Sequence, residues 1–233
     1  KITGESLDNY VQDNVFAPLG LADTRYLPAT KACGPHQVRG TAIVFEGIPS
    51  DPCPPGTWST ALLARVAPTA HDDDTPGINP DFDHLIRGTV HDPTARRMGG
   101  TGGSAGVFST VDDMGRYAQA LLDLLAGRPS LFPLKQSTAE LLATPQQPGH
   151  NAGQVPAADR ASRYAVENHP NTTDPLLAPN YPAIAGQELR SFGWDIDTEH
   201  SRPRGMVFPV GSFGHTGFTG VTLWIDPGSD TYV

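Results

Sequence analysis

The chain has 233 residues, enough for one large domain or two small ones, and its 25 glycines and 23 prolines indicate many turns rather than a helical bundle. Its 16 basic and 25 acidic side chains give a formal charge of −9, which argues against a nucleic acid as a partner. No run approaches the ~18 apolar residues of a membrane span, and the first residues lack the order of a signal peptide.

The first 92 residues combine one helical segment with a long region of turn-forming residues. Ser6 is placed to cap a helix whose apolar side chains recur at helical spacing, and "APLGL" at 17–21 ends it. Between Pro28 and Asp92, proline, glycine and aspartate dominate, and only "TAIVFEG" at 41–47 has the composition of a strand. We predict a short amphipathic helix followed by a long decorated loop region.

The clearest helical pattern lies in the middle of the chain. The Thr110 hydroxyl is placed to accept the amide hydrogen of Asp113, and apolar residues recur at helical spacing to Ala126, where a glycine follows. A shorter helix is predicted around residues 134–142. Residues 145–190 are rich in proline and asparagine, and we predict that they form a loop.

The last residues predict antiparallel strands. From Val221 to Ile225 apolar and polar side chains alternate, which is typical of a half-buried strand, and "DPGSD" at 226–230 turns the chain into "TYV". Helices early and a hairpin late predict an α+β fold rather than alternating β-α units. We divide the chain into a mainly helical and loop region, 1–212, and a strand hairpin, 213–233, within one partial domain.

One acidic segment matches part of a calcium-binding loop. In "HDDDTPGINPDFDH", Asp72, Asp74, Gly77 and Asp83 occupy positions 1, 3, 6 and 12 of the template. A proline stands at position 5, where the template needs a ligand. We therefore interpret the segment as a solvated acidic loop, and we predict no metal and no cofactor.

Cys33 and Cys53 are the two cysteines of the chain, and proline and glycine surround both. A disulfide between them would imply an oxidising compartment, and two free thiols are the alternative. Their spacing does not decide between the two.

A glycine-rich stretch around Ser104 satisfies the pattern G-x-S-x-G, which marks the nucleophile of α/β-hydrolases. That nucleophile needs a buried strand immediately before the serine and a helix immediately after it. Here the preceding "DPTARRM" is not a strand, and the predicted helix begins only near Thr110. We keep an esterase that uses Ser104 as a minor alternative, and we reject a phosphate-binding loop because no Gly-Lys-Ser/Thr follows.

The stretch "FGHTGFTG" at 213–220 places small residues at the end of a predicted strand. A serine hydrolase needs an activated hydroxyl, a base and amide donors aimed at the developing oxyanion. A strand edge with Gly-x-Gly spacing supplies such a donor, because residues without side chains let a substrate carbonyl approach the backbone. Taken alone, however, the stretch is better explained as a tight strand with a buried histidine.

Four segments, in their order along the chain, resemble the serine β-lactamase-like superfamily of class C β-lactamases, D-Ala-D-Ala carboxypeptidases and related esterases. These segments are "KITGESLDNYVQDNVFAPLGLADTRY" at 1–26, "VAPT" at 66–69, "GTVHDPTARRMGGTGGSAGVFSTVDDMGRYAQAL" at 88–121 and "FGHTGFTGVTLWIDP" at 213–227. The resemblance implies the serine β-lactamase/transpeptidase-like fold, in which helices accompany an antiparallel sheet.

The resemblance also assigns roles within the opening of the last segment. His215-Thr216-Gly217 is similar to the family's Lys-Thr-Gly box, with histidine in place of lysine. The box implies that the backbone N–H of Phe218 is one oxyanion donor and that the Thr216 hydroxyl bonds the carboxylate or carbonyl end of the substrate. Gly217 is expected to leave room for the substrate to lie against the strand.

The family nucleophile lies in Ser-x-x-Lys, and this chain departs from that pattern. Its lysines are Lys1, Lys31 and Lys135, and none has serine three residues before it; no Tyr-x-Asn or Tyr-Ser-x motif exists either. The resemblance therefore implies that both motifs precede residue 1. It further implies that the fold is incomplete at both ends, that another segment completes the sheet, and that the chain alone is inactive.

The resemblance implies two alternative functions. The first is a serine hydrolase that forms an acyl-enzyme on an ester, a D-Ala-terminated peptide or a β-lactam, with the nucleophile outside this chain. The second is a non-catalytic binding protein of the same fold. Because the family acts mostly outside the cytoplasm, the resemblance also implies a secreted or periplasmic protein.

Overall fold

The computed structural model describes residues 2–47, 52–168 and 182–233, and the chain divides into two units, residues 1–113 and 114–233. Each unit combines helices with small, mainly antiparallel sheets. The predicted α+β class is confirmed. Within the described ranges, no helix is both long enough and apolar enough to cross a bilayer.

The first unit begins with the predicted amphipathic helix. It consists of α1 (Leu7–Val11) and a π-helical turn, Gln12–Phe16, and the Ser6 side chain makes no capping hydrogen bond. The Leu21 N–H donates to the Phe16 carbonyl at 2.9 Å, which ends the segment in the "APLGL" stretch. The helix is thus confirmed, although its second half has wider hydrogen-bonded turns than an α-helix.

Eight short strands are described in the remaining first unit. They are β1 (Arg25–Tyr26), β2 (Ala32–Cys33), β3 (His36–Arg39), β4 (Ala42–Phe45), β5 (Trp58–Ser59), β6 (Pro68–His71), β7 (Leu85–Arg87) and β8 (Val107–Phe108). The pairs β1–β8, β3–β4 and β6–β7 are antiparallel, and β2–β5 is parallel. The prediction of a loop region with one strand is therefore wrong in part. Strands of two to four residues are too short to show an alternating pattern.

Buried apolar side chains and a disulfide hold these strands. The buried cluster consists of Leu27, Ile43, Trp58 and Leu63. The Trp58 Nε1–H donates to the Pro28 carbonyl at 2.8 Å. Cys33 and Cys53 form a disulfide with a Cα–Cα distance of 5.7 Å, so the bridged alternative is the one observed.

Two carboxylates of the acidic segment are buried, so its interpretation as a solvated loop is wrong at these positions. Asp72 accepts a hydrogen bond from Arg96 Nη1 at 2.5 Å, with both side chains almost fully buried. Burial raises the pKa of Asp72, but the hydrogen bond from Arg96 and further donors outweigh it and lower the pKa to about 2. Asp81 is buried as well and accepts from the Thr41 and Ala42 amides. The partners lie 24 to 40 residues away, which no local pattern reveals.

Two helices follow the acidic segment. The side chain of Asp92 caps α2 (Pro93–Arg97), and the Thr110 hydroxyl accepts from the Asp113 amide at 3.3 Å before α3 (Val111–Leu125). The predicted start and cap of α3 are confirmed.

The carboxylate of Asp113 ties the start of α3 to the residues before β1. Its Oδ2 accepts from the Thr24 hydroxyl at 2.8 Å and from the Asp23 amide at 2.8 Å. Thr24 also shares a 2.7 Å contact with the Ser109 hydroxyl. Asp113 is 5% exposed and Thr24 is fully buried, so these bonds replace water that neither group can reach.

The second unit contains α4 (Gln136–Ala143) and α5 (Gln154–Asn168). The first confirms the predicted short helix. The second contradicts the loop predicted for 145–190 at residues 154–168, and residues 169–181 of that prediction lie outside the described residues. Pro156 lies in the first turn of α5, where no intrahelical N–H is needed, and the helix buries few large apolar side chains, so its sequence resembles a loop.

A five-stranded antiparallel sheet completes the second unit. Its strands are β9 (Leu189–Arg190), β10 (Asp195–Asp197), β11 (Phe213–Gly217), β12 (Val221–Asp226) and β13 (Thr231–Tyr232). The order across the sheet is β13-β12-β11-β10-β9, so each neighbour along the chain is also a neighbour in space. The predicted hairpin of 213–233 is confirmed, and the sheet begins 24 residues earlier, at Leu189.

Candidate active site

The His-Thr-Gly residues lie on β11, the middle strand of the five. Gly214 is paired with Trp224, and a Cβ on Gly214 would lie 2.2 Å from Trp224 Cε3. The indole therefore packs directly on the backbone of β11. Its Nε1–H donates to the Ser212 hydroxyl at 2.9 Å, which itself donates to the Pro209 carbonyl at 2.6 Å. This packing fixes the strand immediately before His215.

His215 is exposed on β11, not buried as the simple strand explanation requires. Its Nδ1 lies 2.6 Å from the Thr216 carbonyl oxygen. Because a carbonyl oxygen only accepts hydrogen bonds, Nδ1 carries the proton in this contact. The neutral ring then presents Nε2 as a hydrogen-bond acceptor, and only the protonated ring presents Nε2 as a donor.

Thr216 is half-buried and lies opposite Thr222 of β12. Directly paired residues share a face of the sheet, so both hydroxyls lie on the face that carries Trp224. The Thr222 hydroxyl donates to the His215 carbonyl at 3.4 Å. Thr216 thus lies within a row of hydroxyl groups on one face.

Gly217 is required by the hairpin itself. A Cβ at this position would lie 2.5 Å from Val221 Cγ2, which is closer than real Cβ contacts allow. The valine side chain of the paired strand therefore fills the space that the missing side chain leaves. Val221 therefore narrows the space beside Gly217 on the face that it shares with His215.

Phe218 begins the turn between β11 and β12. The turn closes through a 3.0 Å hydrogen bond from the Gly220 N–H to the Gly217 carbonyl, and Gly220 has a φ of +89°. The Phe218 side chain is 84% exposed. Backbone geometry, rather than burial of the ring, therefore fixes this position.

Two aromatic residues near His215 were not predicted from the sequence. Trp194 precedes β10, and its ring meets that of Phe213 edge to face, with centroids 5.7 Å apart. Phe192 lies in the β9–β10 turn and is 58% exposed. The only sequence signal is "SFGW" at 191–194, an aromatic pair around a glycine, which is too short to identify a site.

Two buried carboxylates lie on β10, next to the His-Thr-Gly strand. Asp195, which pairs with Gly214, accepts from Arg190 Nη2 at 3.0 Å. Asp197 lies 3.0 Å from Arg204 Nη2. Burial raises the pKa of Asp197, and the charge of Arg204 acts in the opposite direction. These pairs tie β10 to Arg190 of β9 and to Arg204, which follows β10 in the chain.

Ser104 lies in a different setting from a nucleophile elbow. It is exposed in the bend between α2 and β8, so a helix precedes it and a strand follows it. An elbow has the opposite order. The structure therefore gives no support to Ser104 as a nucleophile.

Lys31 makes contacts typical of a surface residue. Its Nζ lies 2.5 Å from Asp8 Oδ2 and 2.7 Å from Asn9 Oδ1, and neither partner is a serine. Across the described ranges, no group of three or more histidine, cysteine or acidic side chains is arranged to hold a metal ion.

A comparison with models of protein families shows which family this chain matches. The model described as "Beta-lactamase" matches residues 1–233, the whole length. The chain belongs to the Beta-lactamase family. The resemblance of its four segments and the α+β class agree with this membership.

Two curated relatives are named as a carboxypeptidase and an amidase. A protein of Escherichia coli O157:H7 named "Putative D-alanyl-D-alanine carboxypeptidase" is 24% identical over 232 residues, which cover 84% of this chain and 48% of that protein. A protein of Bacillus subtilis (strain 168) named "N-acetylmuramyl-L-alanine amidase" is 27% identical over 229 residues, which cover 97% of this chain and 38% of that protein. The chain thus spans less than half the length of these relatives.

Among solved structures, the unliganded selenomethionyl derivative of simvastatin synthase (LovD) from Aspergillus terreus is similar to this chain. The similarity covers 99% of this chain and 44% of the synthase chain. The TM-score is 0.49, and the sequence identity is 19%. A likeness at this level carries no argument about function.

Proposed function

We propose that this chain supplies one wall of the active site of a serine hydrolase that forms an acyl-enzyme on an ester or a peptide. The observation that supports it best is His215-Thr216-Gly217 on the middle strand of the sheet, with the histidine exposed beside a fixed turn. A structural histidine would be buried in the strand, and this one is not. The carboxypeptidase and amidase names of the relatives agree with this reaction class.

The nucleophilic serine and its base lie outside this chain in our proposal, because no serine here has a lysine three residues after it. The serine oxygen attacks the substrate carbonyl, and the carbonyl oxygen becomes an oxyanion. The backbone N–H of Phe218 and the amide of the serine itself donate to that oxyanion. The bond to the leaving group then breaks, the base returns a proton to it, and water later hydrolyses the acyl-enzyme.

Thr216 and His215 recognise the substrate in this proposal. The Thr216 hydroxyl bonds the carbonyl or carboxylate end of the substrate. A neutral ring with its proton on Nδ1 presents a lone pair at Nε2, which repels a carboxylate and accepts from an N–H or O–H. Esters, and peptides that present no carboxylate to this ring, are therefore favoured over β-lactams that carry a carboxylate.

The Cys33–Cys53 disulfide supports an extracytoplasmic location, either secreted or periplasmic, because disulfides persist mainly in oxidising compartments. Fractionation of the native host tests this directly. Recovery of the protein in the cytosol with both thiols alkylatable would remove the support.

The substitution His215→Lys in the full-length gene product tests the assigned roles. We expect it to raise kcat/KM for nitrocefin, which carries a carboxylate, relative to p-nitrophenyl acetate, which does not. The reason is that lysine carries a positive charge at pH 7, whereas a neutral ring with its proton on Nδ1 offers a carboxylate only a lone pair.

Leu131→Lys is the matched control, because it adds the same charge at an exposed position between α3 and α4, outside the His-Thr-Gly strand and its partner strands. We expect it to leave the ratio of the two substrates nearly unchanged. A ratio that His215→Lys does not alter would make His215 a structural residue. No turnover of either substrate by the wild type would refute the proposed reaction.

A further inference from the structure

The antiparallel order of the sheet brings two turns to the same end. Strands β9 and β11 run in one direction and β10 and β12 in the other, so the β9–β10 and β11–β12 turns both lie at the end where Gly217 is. Each turn carries an exposed phenylalanine: Phe192 is 58% exposed, and Phe218 is 84% exposed. Two large exposed aromatic side chains therefore mark the end of the sheet that bears the His-Thr-Gly residues.

A third aromatic ring lies on the face that His215 occupies. Trp194 contacts Phe213 edge to face, and Phe213 and His215, two residues apart on one strand, share a face. Trp194 is half-buried, so part of its ring remains accessible. On β12 the same face carries Val221, which is 63% exposed and covers the backbone of Gly217.

The two stretches that form this end carry no formal charge. Residues 191–194 read "SFGW" and residues 213–225 read "FGHTGFTGVTLWI", without lysine, arginine or an acidic residue. The flanking Arg190 is paired with the buried Asp195. A charged substituent of a substrate would find no opposite charge on these stretches. An apolar substituent would find aromatic rings and a valine.

We infer that Phe218, together with Phe192 and Trp194, forms an apolar acyl-binding surface, so that the preferred substrates are esters or amides whose acyl group is an extended hydrocarbon. This inference rests on the proposed function, because Phe218 also supplies the oxyanion N–H there. In that role the Phe218 N–H holds the reacting carbonyl, so our inference places the ring of the same residue against the acyl group. The acyl group stays attached through the acyl-enzyme, so a surface that covers it assists both chemical steps.

The test is a series of p-nitrophenyl esters, from acetate to octanoate, with the full-length gene product. Burial of a methylene is worth about 0.8 kcal/mol, which corresponds to about fourfold in kcat/KM for each carbon added. We expect the wild type to show an increase of about two- to fourfold for each carbon. Phe218→Ala should reduce the increase to less than about twofold, and Phe218→Leu, which keeps an apolar side chain, should restore part of it.

Leu131→Ala is the matched control, because Leu131 is 74% exposed and lies between α3 and α4, away from both turns in the chain. It should keep the wild-type dependence on chain length. Phe192→Ala should reduce that dependence as Phe218→Ala does, which a general loss of oxyanion stabilisation at Phe218 would not explain.

The outcomes separate this inference from the proposed function. If the wild type hydrolyses the esters and the dependence on chain length is the same in Phe218→Ala, the acyl-binding surface is refuted and the reaction stands. If the wild type hydrolyses none of them, the proposed reaction is refuted. A binding experiment with carboxylates of different length then tests the acyl-binding surface. NMR of the Trp194 indole N–H should then respond to hexanoate more strongly than to acetate, and equal responses would refute the surface as well.

Discussion

Gly217→Ala tests whether the hairpin, rather than a need for open space, requires glycine in the His-Thr-Gly box. The added Cβ would lie 2.5 Å from Val221 Cγ2, and its next neighbours are at 3.8 and 3.9 Å, which is ordinary contact. Gly217 has a backbone conformation open to other residues, since its φ lies outside the positive range. The whole cost therefore comes from one methyl group.

The size of that cost follows from the freedom of Val221. The valine is 63% exposed, so it can turn away from the new methyl group at the expense of an unfavourable side-chain angle. Such angles cost about 0.5–1.5 kcal/mol, and overpacking of a site costs about 1–3 kcal/mol. We expect Gly217→Ala to lower the free energy of unfolding by about 1–2 kcal/mol.

The matched variant is Val221→Ala, which removes the obstructing methyl group and should itself cost less than about 0.5 kcal/mol because the side chain is largely exposed. The double variant should be close to Val221→Ala alone, with a coupling energy of about 1 kcal/mol. Urea unfolding followed by tryptophan fluorescence measures all three, since Trp194 and Trp224 belong to this sheet region. Simple addition of the two single effects would refute the steric explanation.

Gly214→Ala should cost more than Gly217→Ala, about 3 kcal/mol, because its Cβ meets the buried Trp224 ring and the Leu223 carbonyl, and Val221→Ala should not rescue it. Asp72→Asn should cost about 2 kcal/mol at pH 7; because the folded pKa of about 2 lies below the ordinary 3.8, this difference should persist above pH 4 and shrink toward pH 2 in urea unfolding. Asp113→Ala, which removes the acceptor of the buried Thr24 hydroxyl and of the part-buried Asp23 amide, should cost about 1–2 kcal/mol in the same assay. Replacing both cysteines by serine should cost about 3 kcal/mol, measured by thermal unfolding with and without reductant, and an unchanged stability would contradict a closed loop of 20 residues.

Elements with a local signal were predictable. The cap at Thr110 and the alternation from Val221 to Ile225 each depend on residues close together in the sequence. The structure contains both the cap and the strand. The strands of residues 28–92 have two to four residues each and lack such a signal. Helix α5 lacked one too, because it buries little and carries Pro156 in its first turn.

The candidate site was predictable only along one strand. The His-Thr-Gly box consists of consecutive residues and can be recognised in the sequence. Trp194 lies beside this strand only because β10 pairs with β11, and the two segments are about 20 residues apart in the chain. The filled space at Gly217 depends on the rotamer of Val221, which no sequence pattern specifies. The partners of Asp72 and Asp81 were hidden for the same reason, since their contacts join residues distant in the chain.

The central claim is that β11 forms one wall of an acyl-enzyme site, and a crystal structure of the full-length gene product with a covalently bound alkyl phosphonate tests it most directly. The phosphonyl oxygen stands in for the oxyanion. We predict that it lies about 2.7–3.1 Å from the backbone nitrogen of Phe218, with the adduct on a serine outside these 233 residues and the Thr216 hydroxyl in hydrogen-bonding range of the ligand. An adduct on Ser104, or a phosphonyl oxygen beyond hydrogen-bonding distance of the Phe218 nitrogen, would contradict the account.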